Sequence, residues 1–222
     1  MASLSLKNIC KAYPNGFEAV KDFIAGSPLA NIMALNGDSV EICPAPLLWQ
    51  VDEQNPLGYL MGHVAKVNPI VKIDAKNWKV VFTSQGHYIS PNWYPTKAIN
   101  HKEVPTWNYQ SVIFSVTPQL ITDATQIKQI VATMTDFFEH QLKQTNPSHE
   151  PWSLSDAPSD YINAMCRAIV GVKLTIDNFE AKFKLSQNKT LDNQQGVIDG
   201  LTQLQSATAD NMATLINNLF KE

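Results

Sequence analysis

At 222 residues the chain can bury a sizeable core without metal or disulfide support. Its 44% hydrophobic and 17% charged residues exclude an intrinsically disordered chain, which would be richer in charge and poorer in aromatics. A formal net charge of −3, with no long block of Lys or Arg, leaves no obvious electrostatic footprint for nucleic acid.

Cys10, Cys43 and Cys166 are odd in number and widely spaced, so they read as reduced thiols and point to a reducing, cytoplasmic setting. Met1 to Cys10 alternates polar and apolar residues, unlike a signal peptide, and no later run approaches membrane-spanning length. The Asn188-Lys189-Thr190 glycosylation match therefore carries no weight.

In chain order, residues 17–25 place Phe17, Val20 and Ile24 on one helical face, with Gly26 and Pro28 as a stop. LANIMAL, the turn signal Asn36-Gly37-Asp38 and SVEICPAPLLWQV predict a hairpin. Pro44 and Pro46 cannot donate to a ladder, which predicts an edge or bulged strand with irregular pairing. Further strands are expected at 58–64, 78–84, 87–91 and 109–116, and a pair at 169–176 and 179–185.

Asp123 as a cap, followed by Ile127, Ile130, Val131, Met134, Phe137, Phe138 and Leu142, predicts a helix over 123–144. Another helix is expected from near Asp156, with Pro158 in its first turn, Tyr161, Ile162, Met165 and Ile169 as its stripe, and a stop at Gly171. The tail from Asp192 reads as two helices, the last carrying Met212, Leu215, Ile216, Leu219 and Phe220; that face either docks on the chain's own barrel or takes a partner. One domain over 1–222 is expected, and the long loop at 92–107, rich in Trp, Tyr and Pro, marks a functional region.

Three constellations could carry chemistry. In Gly62-His63-Val64-Ala65-Lys66-Val67-Asn68-Pro69, a His, a Lys and free backbone N–H groups meet at a strand end, as a phosphate site needs; a plain turn with a structural His accounts for the same residues. Ser90, Trp93 and Tyr94, followed by Thr106, Trp107, Asn108 and Tyr109, offer rings for the faces of a flat heterocycle and amides for its edge, or else an oligomer interface. Strand alternation puts Lys182 and Lys184 on one face ahead of Ser186, Gln187 and Asn188, either to meet a phosphate or to guard an edge strand. No H-E-x-x-H, G-x-S-x-G, P-loop or Rossmann glycine motif occurs, so neither a catalytic residue nor a metal ligand is assigned.

Taken in order, LMGHVAKVNP, YISPNWY, VPTWNY, PWS (151–153), IVGV (169–172), KFKLSQN and GVIDGL (196–201) resemble the PaiB family over residues 17–201. The resemblance implies an α+β fold, an antiparallel split β-barrel of the FMN-binding, pyridoxamine-phosphate-oxidase-like class with peripheral helices; beyond it, the apolar stripe of the tail predicts a C-terminal helix over 202–222. It implies a homodimer with flavin at its interface, and the label of negative transcriptional regulator. By resemblance His63, Lys66 and Asn68 hold the flavin phosphate, Trp107, Asn108 and Tyr109 line the ring, and Lys184, Ser186 and Gln187 close the pocket, with Ser90, Trp93 and Thr106 beside them. The chain departs from the family in having Lys66 for an Arg, Ile113 for a His, and a different first sixteen residues.

Two functions follow, a flavin-binding regulator or a flavoenzyme that accepts electrons from a nicotinamide nucleotide; haem held by His63 or His87 is a third reading. The chain has no clear helix-turn-helix, so DNA contact rests on the family label alone. No membrane partner is expected.

Overall fold

The computed structural model describes residues 16–51 and 53–218. The expectations placed on Cys10, on the first residues of the chain, and on Leu219 and Phe220 lie outside the described residues. In chain order the elements are α1 (Gly16–Gly26), β1 (Leu29–Asn36), β2 (Ser39–Gln50), β3 (Tyr59–Ala65), β4 (Trp78–Thr83), β5 (His87–Ile89), α2 (Lys97–Asn100), β6 (Thr106–Ile121), α3 (Ala124–Thr145), α4 (Ser159–Arg167), β7 (Ile169–Lys184), α5 (Leu191–Thr202) and α6 (Ala207–Asn218). The strands follow the order β4-β1-β2-β3-β7-β6-β5, and a further β4–β6 pairing joins the first six of them in a closed antiparallel circuit. This is an α+β fold of split-barrel class.

By contact density the chain falls into two units. One holds Ile24–Phe82 and Ile113–Phe179; the other holds Thr83–Val112 with the described parts of Met1–Phe23 and Glu180–Glu222. Strands β6 and β7 contribute a segment to each.

In the first unit, β1 and β2 form the expected hairpin, paired without interruption from Leu29↔Pro46 to Asn36↔Ser39. The irregular pairing expected from Pro44 and Pro46 does not occur. The Leu47 N–H donates to Pro28 O on the β1 side, so by alternation the two proline nitrogens face away from β1. On that side β3 pairs only from Leu47 onward, so the missing donors meet no ladder. Inside, Trp49, Phe82, Phe114 and Phe179 pack with centroid separations of 5.2 to 5.9 Å. Edge-on and tilted pairs of this kind each add about 1 kcal/mol beyond burial.

The long helix α3 starts as its sequence predicts, with the Asp123 carboxylate accepting from Gln126 N at 2.9 Å. Ile130 and Met134 pack on Leu48 and Met61, while Ile127 packs on Ile162 and Cys166 of α4. Leu142 is not part of this stripe, for it is exposed.

Helix α4 differs from its prediction. Leu154–Asp156 is a separate 3-10 turn closed by a Ser153–Asp156 capping box, Pro158 is the N-cap residue of α4, and the helix ends at Arg167. Tyr161 and Met165 point outward; Ile162 and Cys166 face the core. Gly171 is no stop. It lies inside β7 opposite His63, where a Cβ would stand 2.7 Å from Ile130 Cδ1. A side chain there would have to displace the Ile130 tip and crowd Ile121 Cβ at 3.1 Å, so glycine leaves room for both side chains above the strand.

The expected strand pair at 169–176 and 179–185 is one strand, β7. Its buried positions change phase from Val170, Val172, Leu174 and Ile176 to Phe179, Ala181 and Phe183. Asp177 and Asn178, which read as a turn, are both exposed residues within the strand and absorb a one-residue slip of the kind a β-bulge produces.

In the second unit, β5 pairs with the start of β6 through His87↔Asn108, Tyr88↔Trp107 and Ile89↔Thr106. The tail forms two helices as predicted, and Met212 and Ile216 are buried. Among the described residues no helix is long and apolar enough to cross a membrane.

Candidate functional site

The GHVAKVNP segment lies in the first unit, at the end of β3. His63 is half-buried, its Nδ1 is enclosed without a hydrogen-bond partner, and burial pushes its pKa below the ordinary imidazole value. Asn68 is committed to local structure. Its Oδ1 caps the 3-10 turn Pro69–Lys72 by accepting from Ile70 N at 3.0 Å, and its Nδ2 donates to Cys43 Sγ at 3.1 Å. Burial raises the Cys43 thiol pKa, and the bond from Asn68 opposes that shift in part.

Lys66 is exposed at the mouth of a cleft of about 470 Å³. The cleft is bounded by the start of α3 and the last turns of α4, and Thr122, Asn163 and Arg167 supply the rest of its polar lining. Among the described residues no carboxylate lines it, and neither Lys66 nor Arg167 has a side-chain hydrogen bond or ion pair. Arg167 is the only arginine in the sequence.

The remaining candidates lie in the second unit. Successive strand residues face opposite ways, and β6 divides them accordingly. Asn108 points inward, 1% exposed, and its Nδ2 donates to Ser186 Oγ at 2.9 Å. Trp107 points outward, 55% exposed, with its ring 6.2 Å from that of Tyr88 in an edge-to-face pair. Tyr109 shares the outer side and receives Lys182 Nζ at 5.6 Å from its ring centroid. The side chains of Trp107, Asn108 and Tyr109 therefore do not line one surface together.

Thr106 accepts a hydrogen bond from Lys184 Nζ. Gln187 folds back on β7, accepting from Leu185 N at 2.7 Å and donating to Phe183 O at 2.6 Å. Ser90 caps the 3-10 turn Pro91–Trp93. Trp93 packs onto α5, where Cβ atoms on Gly196 and Gly200 would collide with its carbonyl oxygen and its ring. All nine candidates in this unit thus have identifiable partners within the fold: Ser90, Trp93 and Gln187 in their own turns and on α5, Thr106 with Lys184, Asn108 with Ser186, and Trp107 and Tyr109 with Tyr88 and Lys182.

Motif reading missed one polar cluster in this unit. Glu103 accepts from Lys189 Nζ at 2.5 Å, from Thr96 Oγ1 at 2.9 Å and from Asn193 Nδ2 at 3.3 Å. These bonds, led by Lys189, hold the Glu103 carboxyl below its usual pKa. The same ammonium stands 4.6 Å from the Tyr94 ring centroid. The Tyr94 hydroxyl is buried; Ser186 faces it, outside good hydrogen-bond geometry, and burial raises its pKa.

Residues 11–178 match the family model described as "Putative FMN-binding domain". The chain belongs to the PaiB-like FMN-binding family. Among its relatives, an uncharacterized protein of Emericella nidulans is 30% identical over 186 residues, covering 72% of each chain. The Bacillus subtilis "Protease synthase and sporulation protein PAI 2" is 25% identical over 166 residues, covering 74% of each. Two solved structures share the fold. The FAD and heme binding protein from Mycobacterium smegmatis superposes with a TM-score of 0.52 at 15% identity, over 80% of this chain and 76% of that one. The flavocytochrome Anf3 from Azotobacter vinelandii gives 0.51 at 14% identity, over 75% of this chain and 66% of its own.

The family's sequence motifs acquire distinct physical reasons in this member. GVIDGL supplies the glycines on which Trp93 rests. PWS is held to α3, for Glu139 Oε2 accepts from Trp152 N at 3.0 Å and contacts His149 Nε2 at 2.6 Å. The Trp152 N–H, followed by His149, lowers the pKa of that carboxyl.

Proposed function

We propose that this PaiB-like chain binds FMN, and that it does so as a homodimer in the cytoplasm. The observation that carries the reading is Lys66: an ammonium with neither a side-chain partner nor a neighbouring cleft carboxylate among the described residues, within the segment that the family resemblance assigns to the flavin phosphate. A phosphate group can replace water around such a cation at little desolvation penalty, because no carboxylate competes for it.

For the isoalloxazine, support comes from the exposed Trp107 and Tyr88 rings and from Tyr109 with its lysine, an arrangement suited to a flat, electron-poor heterocycle. In this reading His63 stays neutral beside the phosphate segment, while Asn68, Ser90 and Gln187 act by fixing the backbone of their segments. Thr106, Asn108, Lys184 and Ser186 tie β6 to β7 under the aromatic face. Trp93 anchors the adjoining loop on α5.

Bound FMN would supply redox chemistry, with the protein contributing orientation and charge. A regulatory role is supported by the family resemblance, and the Bacillus relative is named a protease synthase and sporulation protein. The net charge of −3 favours regulation without direct DNA contact.

The test is a spectrum of the purified protein from the near ultraviolet to the visible, followed by titration of FMN with fluorescence detection. Flavin bands, or quenching of added FMN, are expected. A colourless protein that leaves FMN fluorescence unchanged overturns the reading. Bleaching of the bands by NADPH would establish the oxidoreductase alternative, and a haem spectrum would favour His63 or His87 as an iron ligand.

A further inference from the structure

We propose that Arg167, together with Lys66, makes the cleft between the starts of α3 and the end of α4 a site for a dianionic phosphate monoester, with Arg167 as its guanidinium contact. The inference deepens the flavin reading and rests on it for the identity of the phosphate's bearer, which would be the terminal phosphate of FMN.

Charge comes first. A phosphate monoester carries about −1.5 to −2 at neutral pH, and two cations that lack partners among the described residues line this cleft. Among the described residues no carboxylate lines it, and Asp123, next in sequence to the lining residues Thr122 and Ala124, is engaged as the α3 cap. The first turn of the 22-residue helix α3 adds partial positive charge to the same wall.

Geometry is consistent with that charge. Lys66 N donates to Ala168 O at 2.9 Å, which ties the Lys66 backbone to the residue after Arg167. Asn163 is one turn before Arg167 on α4, so both side chains lie on one face and line the cleft. Lys66 alone offers a point charge; a guanidinium can grip two phosphate oxygens at once. Arg167 thus supplies in this chain the forked contact that an arginine at position 66 would provide.

The experiment compares wild type with Arg167→Gln and Arg167→Lys for FMN and for riboflavin, which has no phosphate, with melting temperature as the folding control. Arg167 is exposed, so both variants should melt as wild type does. We expect FMN affinity to fall roughly tenfold or more in the Gln variant, the range for losing a charge-assisted contact, and less in the Lys variant, with riboflavin binding unchanged. Unaltered FMN affinity in Arg167→Gln, or equal loss for FMN and riboflavin, overturns the proposal.

Inorganic phosphate separates this inference from the flavin reading. If wild type binds no flavin, that reading falls, yet phosphate should still raise the melting temperature of wild type and not of Arg167→Gln at matched ionic strength. Absence of that shift overturns the cleft proposal too.

Discussion

A Cβ built on Gly200 would stand 2.4 Å from the Trp93 ring, and one on Gly196 would stand 2.1 Å from the Trp93 carbonyl oxygen. Helix α5 and the aromatic loop are thus in contact with no room for a methyl group between them. Gly200→Ala gains helix propensity of about 1 kcal/mol but overpacks by about 1–3 kcal/mol or more, so the net change should be destabilising. In a Trp93→Ala background the same substitution should become neutral or stabilising. Urea denaturation of the four proteins in this cycle measures the coupling, and equal effects in both backgrounds would show that the ring is not what excludes the methyl group.

Asn108 on β6 donates to Ser186 just beyond the end of β7, and both are buried. Asn108→Ala strands the Ser186 hydroxyl and should lower stability by about 1–3 kcal/mol in urea melts. An unchanged midpoint would mean that water or Tyr94 satisfies the hydroxyl equally well.

Glu103 has a folded pKa below its unfolded value, so the stabilisation it provides is fully present above the unfolded carboxyl pKa of about 4.3 and is lost as pH falls through the folded value. The melting-temperature gap between wild type and Glu103→Gln should therefore be widest near neutrality and close as pH falls below that point. A gap independent of pH would assign the stabilisation to packing rather than charge.

His63 also has a depressed folded pKa, with burial as the cause. Above the unfolded imidazole pKa of about 6.5 the side chain is neutral in both states; below it the unfolded chain binds a proton that the fold resists, so stability drops as pH falls toward the folded value. Wild type should lose melting temperature between neutrality and mildly acid pH more steeply than His63→Gln. Parallel slopes would show that His63 is protonated in the fold without penalty.

Trp107 is more than half exposed, so Trp107→Ala should leave the urea midpoint within about 0.5 kcal/mol of wild type. If its ring contacts the flavin, FMN affinity should fall, by roughly tenfold for the loss of one aromatic contact worth about 1–1.5 kcal/mol. Intact affinity would remove Trp107 from the proposed site.

The chain's local patterns determined much of what is seen. The period of Ile127, Ile130 and Met134 behind an Asp cap makes α3, and apolar runs around Asn36-Gly37-Asp38 make the β1–β2 hairpin, because helix and hairpin formation depend on neighbours a few residues away. The ordered motifs from GHVAKVNP to GVIDGL were enough to indicate the family and its fold class.

Only the tertiary structure decided what those motifs touch. Asp177-Asn178 resembles a turn in isolation, but the strand runs unbroken from Ile169 to Lys184, so β7 is one strand. Gly171 resembles a helix stop until Ile130 of α3, distant in sequence, is seen to lie over it within β7, a contact that no local pattern encodes. Thr96 and Asn193 are 97 positions apart, yet share Glu103. Arg167 is the lone arginine in the sequence and becomes a candidate ligand contact only beside Lys66. Periodicity reports which face of an element is apolar; it carries no record of which distant element covers that face, and contacts between distant residues arise only when the whole core has packed.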